Sequence, residues 1–258
     1  MFPMMFPHPM KILLVRHAES ESNVDLSVHT HTPDPAIRLS SKGYTQAIRL
    51  GEVLGPLLLN SKGDYHSRTR IMVSPYRRTR ETLDGMAIGS RSVSTNPHVT
   101  DLMQSAEKIH ENIALREIEY GVFDGIPVED RPIKLPLEHA CYQRHLDHEG
   151  WVYARMPLGE SPADVVGRAK LVLHDIERAY RHGVEQLIII SHSQTIRCIR
   201  MEMEEQNVQW LNEERSPANT SVHYYVFTGE AYHNQGLVYD GQDLCAESIA
   251  IENLKRRF

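Results

Sequence analysis

The sequence has few cysteines, no long hydrophobic run and no strong excess of charge of either sign. Its 258 residues include three cysteines, Cys141, Cys198 and Cys245. Such an odd, scattered set excludes a disulfide framework and is typical of a reducing compartment. The longest apolar runs, such as Leu187–Ile190, are far shorter than the roughly 20 residues of a membrane-spanning helix. We therefore expect a cytoplasmic protein that does not act at a membrane.

The charge balance is mildly acidic, with 34 Asp and Glu against 28 Lys and Arg and a formal net charge of −6. This gives no electrostatic reason to expect nucleic acid or an anionic membrane as a partner. A hydrophobic content of 41% together with 15 glycines is typical of a globular protein and excludes a disordered, collagen-like or coiled-coil chain. The unusual feature is the presence of 15 histidines.

The first nine residues do not have the pattern of a signal peptide. They are apolar but interrupted by Pro3, Pro7 and Pro9, and they contain no basic segment. We predict that residues 1–9 are a flexible N-terminal leader and that residues 10–258 form a single domain.

Strand-like and helix-like patterns alternate along the rest of the chain. Four segments have the length and composition of strands: 11–15, 70–73, 187–190 and 221–227. Four others have helical periodicity: 41–57, 75–86, 162–182 and 194–204. This alternation predicts an α/β fold, a single three-layer α/β/α domain with a mostly parallel central sheet. Residues 90–112 and 126–160 lack clean periodicity, and we expect them to form excursions above the sheet.

Two helices are predicted to open in the same way, with a serine followed by a proline. Ser74-Pro75 and Ser161-Pro162 each place a capping serine before a proline in the first helical position. Gly183 is expected to end the second of these helices.

Polar side chains follow three of the predicted strands at their carboxyl ends: Arg16-His17, Ser74 to Arg78, and Ser191-His192. Ligands bind at this edge of open α/β sheets. Each cluster alone is common by chance. A histidine at a strand end also often does no more than bind a backbone carbonyl. Together they place two imidazoles and two guanidiniums in one crevice, which suits a phosphate group. A neutral histidine is also a competent nucleophile towards phosphorus.

These residues are part of a longer resemblance. Arg16-His17-Ala18-Glu19-Ser20 with Asn23 is similar to the Arg-His-Gly-Glu-Ser/Thr-x-x-Asn signature of the histidine phosphatase, or phosphoglycerate mutase-like, superfamily. Further blocks follow in the order of that family between Lys11 and Phe227. They are Leu39–Ala47, Ser74–Thr82, Leu115–Gly125, Gly159–Ser161 and Ser191–Arg197. The resemblance implies that residues 10–258 form a histidine phosphatase domain.

The resemblance implies a role for each matching residue. His17 would attack phosphorus and carry a phosphohistidine, while Arg16, Arg78 and His192 would stabilise the transferring oxygens. The register of the Leu115 block selects Glu117 rather than nearby Glu119 as the general acid and base.

Other matching residues would bind the substrate without reacting. Asn23 and Ser20 would donate to the phosphate, and Ser193, which replaces a glycine of the family, would line the pocket. One residue along a helix turns the side chain by about 100°, so Arg77 points away from Arg78 and is expected at the rim of the site or at the surface. No metal and no cofactor is implied, because the arginines and the second histidine supply the electrostatic stabilisation.

The superfamily contains phosphatases and mutases. Residues 118–160 contain no adjacent pair of basic residues, unlike the corresponding insert of phosphoglycerate mutases. This favours a phosphatase acting on small-molecule phosphate esters. The sequence motifs are similar to those of the broad-range acid phosphatase branch. A mutase and a non-catalytic phospho-ligand-binding module stay as alternatives. Specificity is expected from residues 24–38, 90–112 and 126–160, and the oligomeric state is open.

Several other patterns carry weaker hypotheses. His139, Cys141, His145 and His148 match no zinc spacing, and His29-Thr30-His31 is interpreted as a solvated loop rather than a cap on the pocket. Residues 236–242 have the glycine spacing of a phosphate-binding loop without its lysine, which predicts a turn. Trp151 and Tyr153 either line the pocket or pack beneath the excursion, and Cys198 is predicted to be buried.

Overall fold

The computed structural model describes residues 8–58, 68–93 and 109–242. Its sheet has six strands: β1 (Met10–Arg16), β2 (Thr69–Val73), β3 (Ile109–Glu111), β4 (Gln186–Ser191), β5 (Val222–Phe227) and β6 (Tyr232–Tyr239). Their order is β3-β2-β4-β1-β5-β6. The β3-β2, β2-β4 and β4-β1 pairs are parallel, and β5 pairs antiparallel with β1 and β6. The predicted α/β fold with a mostly parallel sheet is confirmed.

The helices of the described residues surround this sheet. They are α1 (Glu21–Val24), α2 (Ser41–Leu54), α3 (Arg77–Val93), α4 (Arg131–Lys134), α5 (Pro136–Glu149), α6 (Pro162–Arg181), α7 (Ser193–Met203) and α8 (Val208–Glu213). None of the helices in these residues is long and apolar enough to cross a membrane.

Alternation along the strands divides the core into two layers. In β1, Ile12 and Leu14 belong to the cluster that includes α6 and α7, through residues such as Val172. Leu13 and Val15 point to the opposite cluster, where Leu50 of α2 and Met86 of α3 pack. Because successive side chains of a strand face opposite sides, a strand that is apolar throughout requires helices on both faces. The three-layer prediction is confirmed.

The two Ser-Pro openings have different outcomes. Ser161 caps α6 as predicted, with Pro162 in the first turn, and the chain leaves the helix at Gly183 with φ of +75°. The corresponding prediction for α3 is wrong, because this helix begins at Arg77 and not at Pro75. The Ser74 hydroxyl lies instead 2.8 Å from the Nε2 atom of His192, so the residues after β2 form a turn before the helix starts.

The sequence patterns miss two strands. β3 lies within residues 90–112, so that segment is wrongly predicted as an excursion at 109–111, where it pairs with β2. β6 lies at the edge of the sheet and has half-exposed residues, which weakens its alternation. The turn predicted for 236–242 is therefore wrong at its start: Gly236 lies in β6, and the chain turns only at Gly241, where φ is +105°.

Residues 126–160 fold above the sheet as expected, and they form α4 and α5. Cys141 and Cys198 are free thiols, and Cys198 is buried as predicted. Several predictions fall outside the described residues: most of the leader 1–9, residues 94–108 of the first excursion, and Cys245.

Candidate active site

The two histidines of the strand-end clusters lie side by side. His17 follows β1 and His192 follows the adjacent parallel strand β4, and the His17 amide donates to the Ser191 carbonyl at 3.0 Å. Their ring centroids are 5.1 Å apart, in an edge-to-face arrangement with an interplanar angle of 60°. Both residues are buried. The parallel pairing of β1 and β4 thus brings together residues 175 positions apart in the sequence.

The surroundings of His17 define its protonation state. The Nδ1 atom lies 2.6 Å from the Ala18 carbonyl oxygen, and because a carbonyl only accepts, Nδ1 carries the proton. Burial lowers the pKa of His17 well below its usual value, and the charges of Arg78 and Arg16 lower it further. His17 is therefore a neutral imidazole at neutral pH, with the lone pair on Nε2.

His192 packs edge-on against His17 and is held by residues that follow β2. Its Nε2 atom is 2.8 Å from the Ser74 hydroxyl, and its ring packs edge-on against Tyr76 at 5.0 Å. Its Nδ1 atom is buried and finds no hydrogen-bond partner in the part of the chain that the structure describes. Burial lowers the pKa of His192 well below its usual value, with Arg78 and His17 contributing in the same direction.

Arg16 and Arg78 supply the positive charge of the site. Arg16 donates from Nη1 to the Pro217 carbonyl at 2.6 Å, and its buried Nε atom has no hydrogen-bond partner among the described residues. Arg78 comes from the first turn of α3, and its side chain is only 5% exposed. Its guanidinium lies 4.9 Å from the centre of the Tyr76 ring and donates to Asp34.

Glu117 and Glu119 have different surroundings, which distinguishes the two candidates for the general acid and base. The Glu117 carboxylate accepts from the Ile118 amide at 3.0 Å and, at the start of α7, from the Thr195 amide at 3.3 Å. It also lines the cavity beside His17. The Glu119 side chain is half exposed, pairs with Arg116 at 3.1 Å and is not part of the cavity wall.

These residues surround a cavity of about 350 Å³ at the carboxyl edge of the sheet, a size typical of small-molecule sites. Of the predicted residues, its wall contains Arg16, His17, Ser20, Asn23, Arg78, Glu117 and Ser193. His192 is not part of that wall. The Asn23 side-chain oxygen accepts from the Ser20 amide at 3.1 Å and from Asn219 at 3.2 Å.

The outer wall contains residues that the sequence patterns do not single out. Arg131, Tyr120 and a mostly apolar set from the segment after Glu117 line it: Phe123, Ile126, Pro127 and Val128. His29 lines it too, with a side chain 13% exposed and Nδ1 at 2.9 Å from Asp124. The interpretation of residues 29–31 as a solvated loop is therefore wrong at His29, because this contact holds the imidazole against the cavity.

Asp34 is a further site residue that no motif indicates. Its carboxylate lines the cavity and binds Arg78. The available signal is its position within residues 24–38, which were expected to contribute to specificity.

The remaining candidates lie away from the cavity. Arg77 pairs with Glu81 at 2.7 Å and is 45% exposed, as predicted. Trp151 stacks with Arg197 and packs against the core, whereas Tyr153 is exposed. Across residues 8–58, 68–93 and 109–242, no group of three or more His, Cys, Asp or Glu side chains is arranged to hold a metal ion.

Similarity to known proteins agrees with this geometry. The sequence pattern of the Histidine phosphatase superfamily (branch 1) matches residues 12–238. The Arabidopsis thaliana protein named Phosphoglycerate mutase-like protein AT74 is 31% identical, over 83% of this chain and 64% of that protein. A Gallus gallus protein named 6-phosphofructo-2-kinase/fructose-2,6-bisphosphatase is 26% identical, over 79% of this chain and 40% of that protein. The chain thus matches less than two thirds of the length of each.

Solved structures share the fold at low sequence identity. The Alpha-ribazole Phosphatase from Shigella flexneri has a TM-score of 0.64 at 16% identity, covering 88% of this chain and 96% of that one. Bacillus stearothermophilus YhfR has a TM-score of 0.63 at 21% identity, covering 91% and 98%. The chain belongs to the histidine phosphatase superfamily (branch 1), whose members transfer phosphoryl groups through a phosphohistidine as phosphatases or mutases.

Proposed function

We propose that this protein hydrolyses small-molecule phosphomonoesters through a phosphohistidine on His17. The observation that supports this most is the protonation state of His17: a buried imidazole with its proton on Nδ1 and a pKa below its usual value. It lines a cavity together with Arg16 and Arg78. A neutral nucleophile next to two fixed positive charges is the arrangement that phosphoryl transfer requires.

In the first step, the His17 Nε2 lone pair attacks phosphorus in line with the ester oxygen. The P–N bond forms as the P–O bond to the leaving group breaks. Glu117, protonated at this stage, donates its proton to the departing alkoxide. Arg16 and Arg78 stabilise the charge on the transferring oxygens, and Asn23 adds a neutral donor.

In the second step, the Glu117 carboxylate accepts a proton from water. The water oxygen attacks phosphorus, and the P–N bond breaks to release orthophosphate and neutral His17. His192, which packs edge-on against His17, would stabilise the phosphoryl oxygens in both steps, the role that the family resemblance implies. After the second step, His17 and Glu117 have returned to their starting states, so the proposed cycle balances without a metal or cofactor.

Two features favour hydrolysis over a mutase reaction. Of the scattered basic residues of the 118–160 segment, Arg131 lines the cavity, while Lys134 and Arg155 pair with Asp130 and Asp164. A lone arginine is a weak site for a carboxylated sugar phosphate. The cavity of about 350 Å³ beside His17 also leaves room for a water molecule next to a bound phosphoryl group.

The test is hydrolysis of para-nitrophenyl phosphate in excess chelator by the wild type and by His17→Ala. We expect turnover by the wild type and none by the variant. Phosphate exchange between the 2- and 3-positions of phosphoglycerate, without net hydrolysis, would instead establish the mutase.

A panel of phosphate esters then tests the breadth of substrate specificity. One ester preferred about a thousandfold in kcat/KM would contradict a broad specificity, since such ratios need specific polar contacts.

A further inference from the structure

Asp34 makes a three-point contact with Arg78 inside the cavity. Arg78 donates from Nη1 to both the backbone carbonyl and the Oδ1 atom of Asp34, each at 2.8 Å, and from Nη2 to Oδ2 at 3.3 Å. Both hydrogens of Nη1 are therefore bound to this one residue. Such charge-assisted, forked pairing fixes the plane of a guanidinium as well as its position.

The contact leaves part of Arg78 available to a ligand. In the described residues, Asp34 and no other residue accepts a hydrogen bond from the Arg78 guanidinium. The Nε–H group and the second Nη2 hydrogen thus stay free for another acceptor. Arg78 and His17 line the same cavity, and the charge of Arg78 lowers the pKa of both His17 and His192.

Asp34 is itself held in place from several sides. It starts a short 3₁₀ turn (Asp34–Ala36) that follows Pro33, and the next residue, Ile37, is fully buried. Its carboxylate also lies 3.9 Å from His29, which in turn contacts Asp124 at 2.9 Å. A chain of contacts therefore runs from Asp124 through His29 and Asp34 to Arg78, and its charges alternate when His29 is protonated.

We propose that Asp34 is a positioning residue that orients Arg78, so that the free donors of this guanidinium bind the phosphoryl oxygens. This rests on the function proposed above. The opposite role is a carboxylate that occupies the phosphate position and must leave before substrate binds. The backbone carbonyl of Asp34 argues against that role, because it accepts from the same Nη1 atom and is fixed by the buried chain that follows.

The test compares Asp34→Ala and Asp34→Asn with the control Asp25→Ala. Asp25 lies in the same loop, is exposed, and binds Ser27 without lining the cavity. The readouts are kcat and KM for para-nitrophenyl phosphate, the inhibition constant of orthovanadate, and Tm. Asp34→Asn keeps the shape and one acceptor but removes the charge, so it separates loss of orientation from loss of folding.

We expect Asp34→Ala to lower kcat/KM by about tenfold to a hundredfold, since small displacements of a charged clamp have effects of this size. The orthovanadate inhibition constant should rise in parallel, Asp34→Asn should be intermediate, and Asp25→Ala should match the wild type. Tm should fall in Asp34→Ala, because the buried Arg78 loses its partner, so activities are compared at a temperature where every variant is folded. Unchanged values, or tighter vanadate binding with faster turnover in Asp34→Ala, would overturn the proposal. A wild type without activity would refute the proposed function instead, and calorimetric binding of orthovanadate by the same variants would still test the role of Asp34.

Discussion

Arg77 and Arg78 are adjacent in the chain but have different partners. Arg78 is buried against the cavity, whereas Arg77 pairs with Glu81 at the surface. We predict that Arg78→Ala lowers kcat/KM at least about a hundredfold, because it removes a preorganised donor from the transferring oxygens. Arg77→Ala should stay close to the wild type, since Arg77 is half exposed and does not line the cavity, and Glu81 still accepts from the Leu39 amide. Comparable losses in both variants, measured with para-nitrophenyl phosphate, would contradict the assignment.

Glu117 and Glu119 form a second matched pair. We predict that Glu117→Gln lowers kcat/KM for alkyl phosphates by about a hundredfold to ten-thousandfold, the range typical of general acid catalysis. The loss should be smaller for para-nitrophenyl phosphate, because its leaving group needs no proton. Glu119→Gln, on a half-exposed side chain, should leave both substrates unaffected. A larger loss in Glu119→Gln, or no dependence on the leaving group, would mean that Glu117 is not the acid.

The sequence indicates the inner residues of this site better than the outer ones. His17, Arg78 and His192 follow strands or begin a helix, and the rules of parallel sheets bring such positions together. Asp34 and His29 depend instead on contacts between loops, such as the close approach of Gly125, with φ of +68°, to the His29 backbone. No periodicity encodes a contact of this kind, so these residues emerge only from the folded structure.

At the scale of elements, α2 and α3 pack closely through glycines. A Cβ atom at residue 89 would collide with the Ile48 backbone carbonyl, whereas one at Gly167 in α6 would meet nothing within 4 Å. We predict that Gly89→Ala lowers the free energy of unfolding by about 1–3 kcal/mol through overpacking. Gly167→Ala should raise it by about 0.5–1 kcal/mol, because alanine is the better helix former.

Urea unfolding of the two variants measures both effects. A Gly89→Ala protein as stable as the wild type would show that the two helices can move apart at little cost, contrary to the packing described here.

The sequence predicts buried strands and helices more accurately than exposed ones. Strand β4 is buried at every residue, and its apolar run Leu187–Ile190 identifies it. Strand β6 at the sheet edge is half exposed and has no comparable pattern. The sequence pattern predicts the start of α3 two residues too early because the Ser74 hydroxyl binds His192 instead of capping the helix. These two residues are 118 positions apart, so no local sequence pattern indicates the contact.

At the scale of the whole molecule, buried neutral histidines make stability depend on pH. Burial lowers the pKa of His223 to about 3, with Arg200 adding to the effect, and also lowers the pKa of His17 and His192. In the unfolded chain these histidines bind protons below about pH 6.5, whereas the folded state does not. Their contribution is thus fully present above pH 6.5 and is lost as the pH falls towards 3. His29, whose pKa is raised mainly by Asp124, acts in the opposite direction.

We predict that Tm falls steadily below pH 6.5 and that His223→Gln makes this dependence shallower. Removing one such histidine should reduce the slope of the unfolding free energy by about 1.4 kcal/mol per pH unit between pH 6 and 4. Urea titrations at several pH values measure the slope. An identical slope in His223→Gln would show that this histidine is protonated in the folded protein.

The central claim is that His17 becomes phosphorylated during turnover. The most direct measurement is rapid quenching of the enzyme with a phosphate ester at alkaline pH, followed by mass spectrometry of the peptide that contains His17. The account predicts an acid-labile, base-stable phosphate on His17, absent from His17→Ala, and more abundant in Glu117→Gln because the hydrolytic step loses its base. Turnover without phosphate on His17, or phosphate on another residue that persists in His17→Ala, would contradict it.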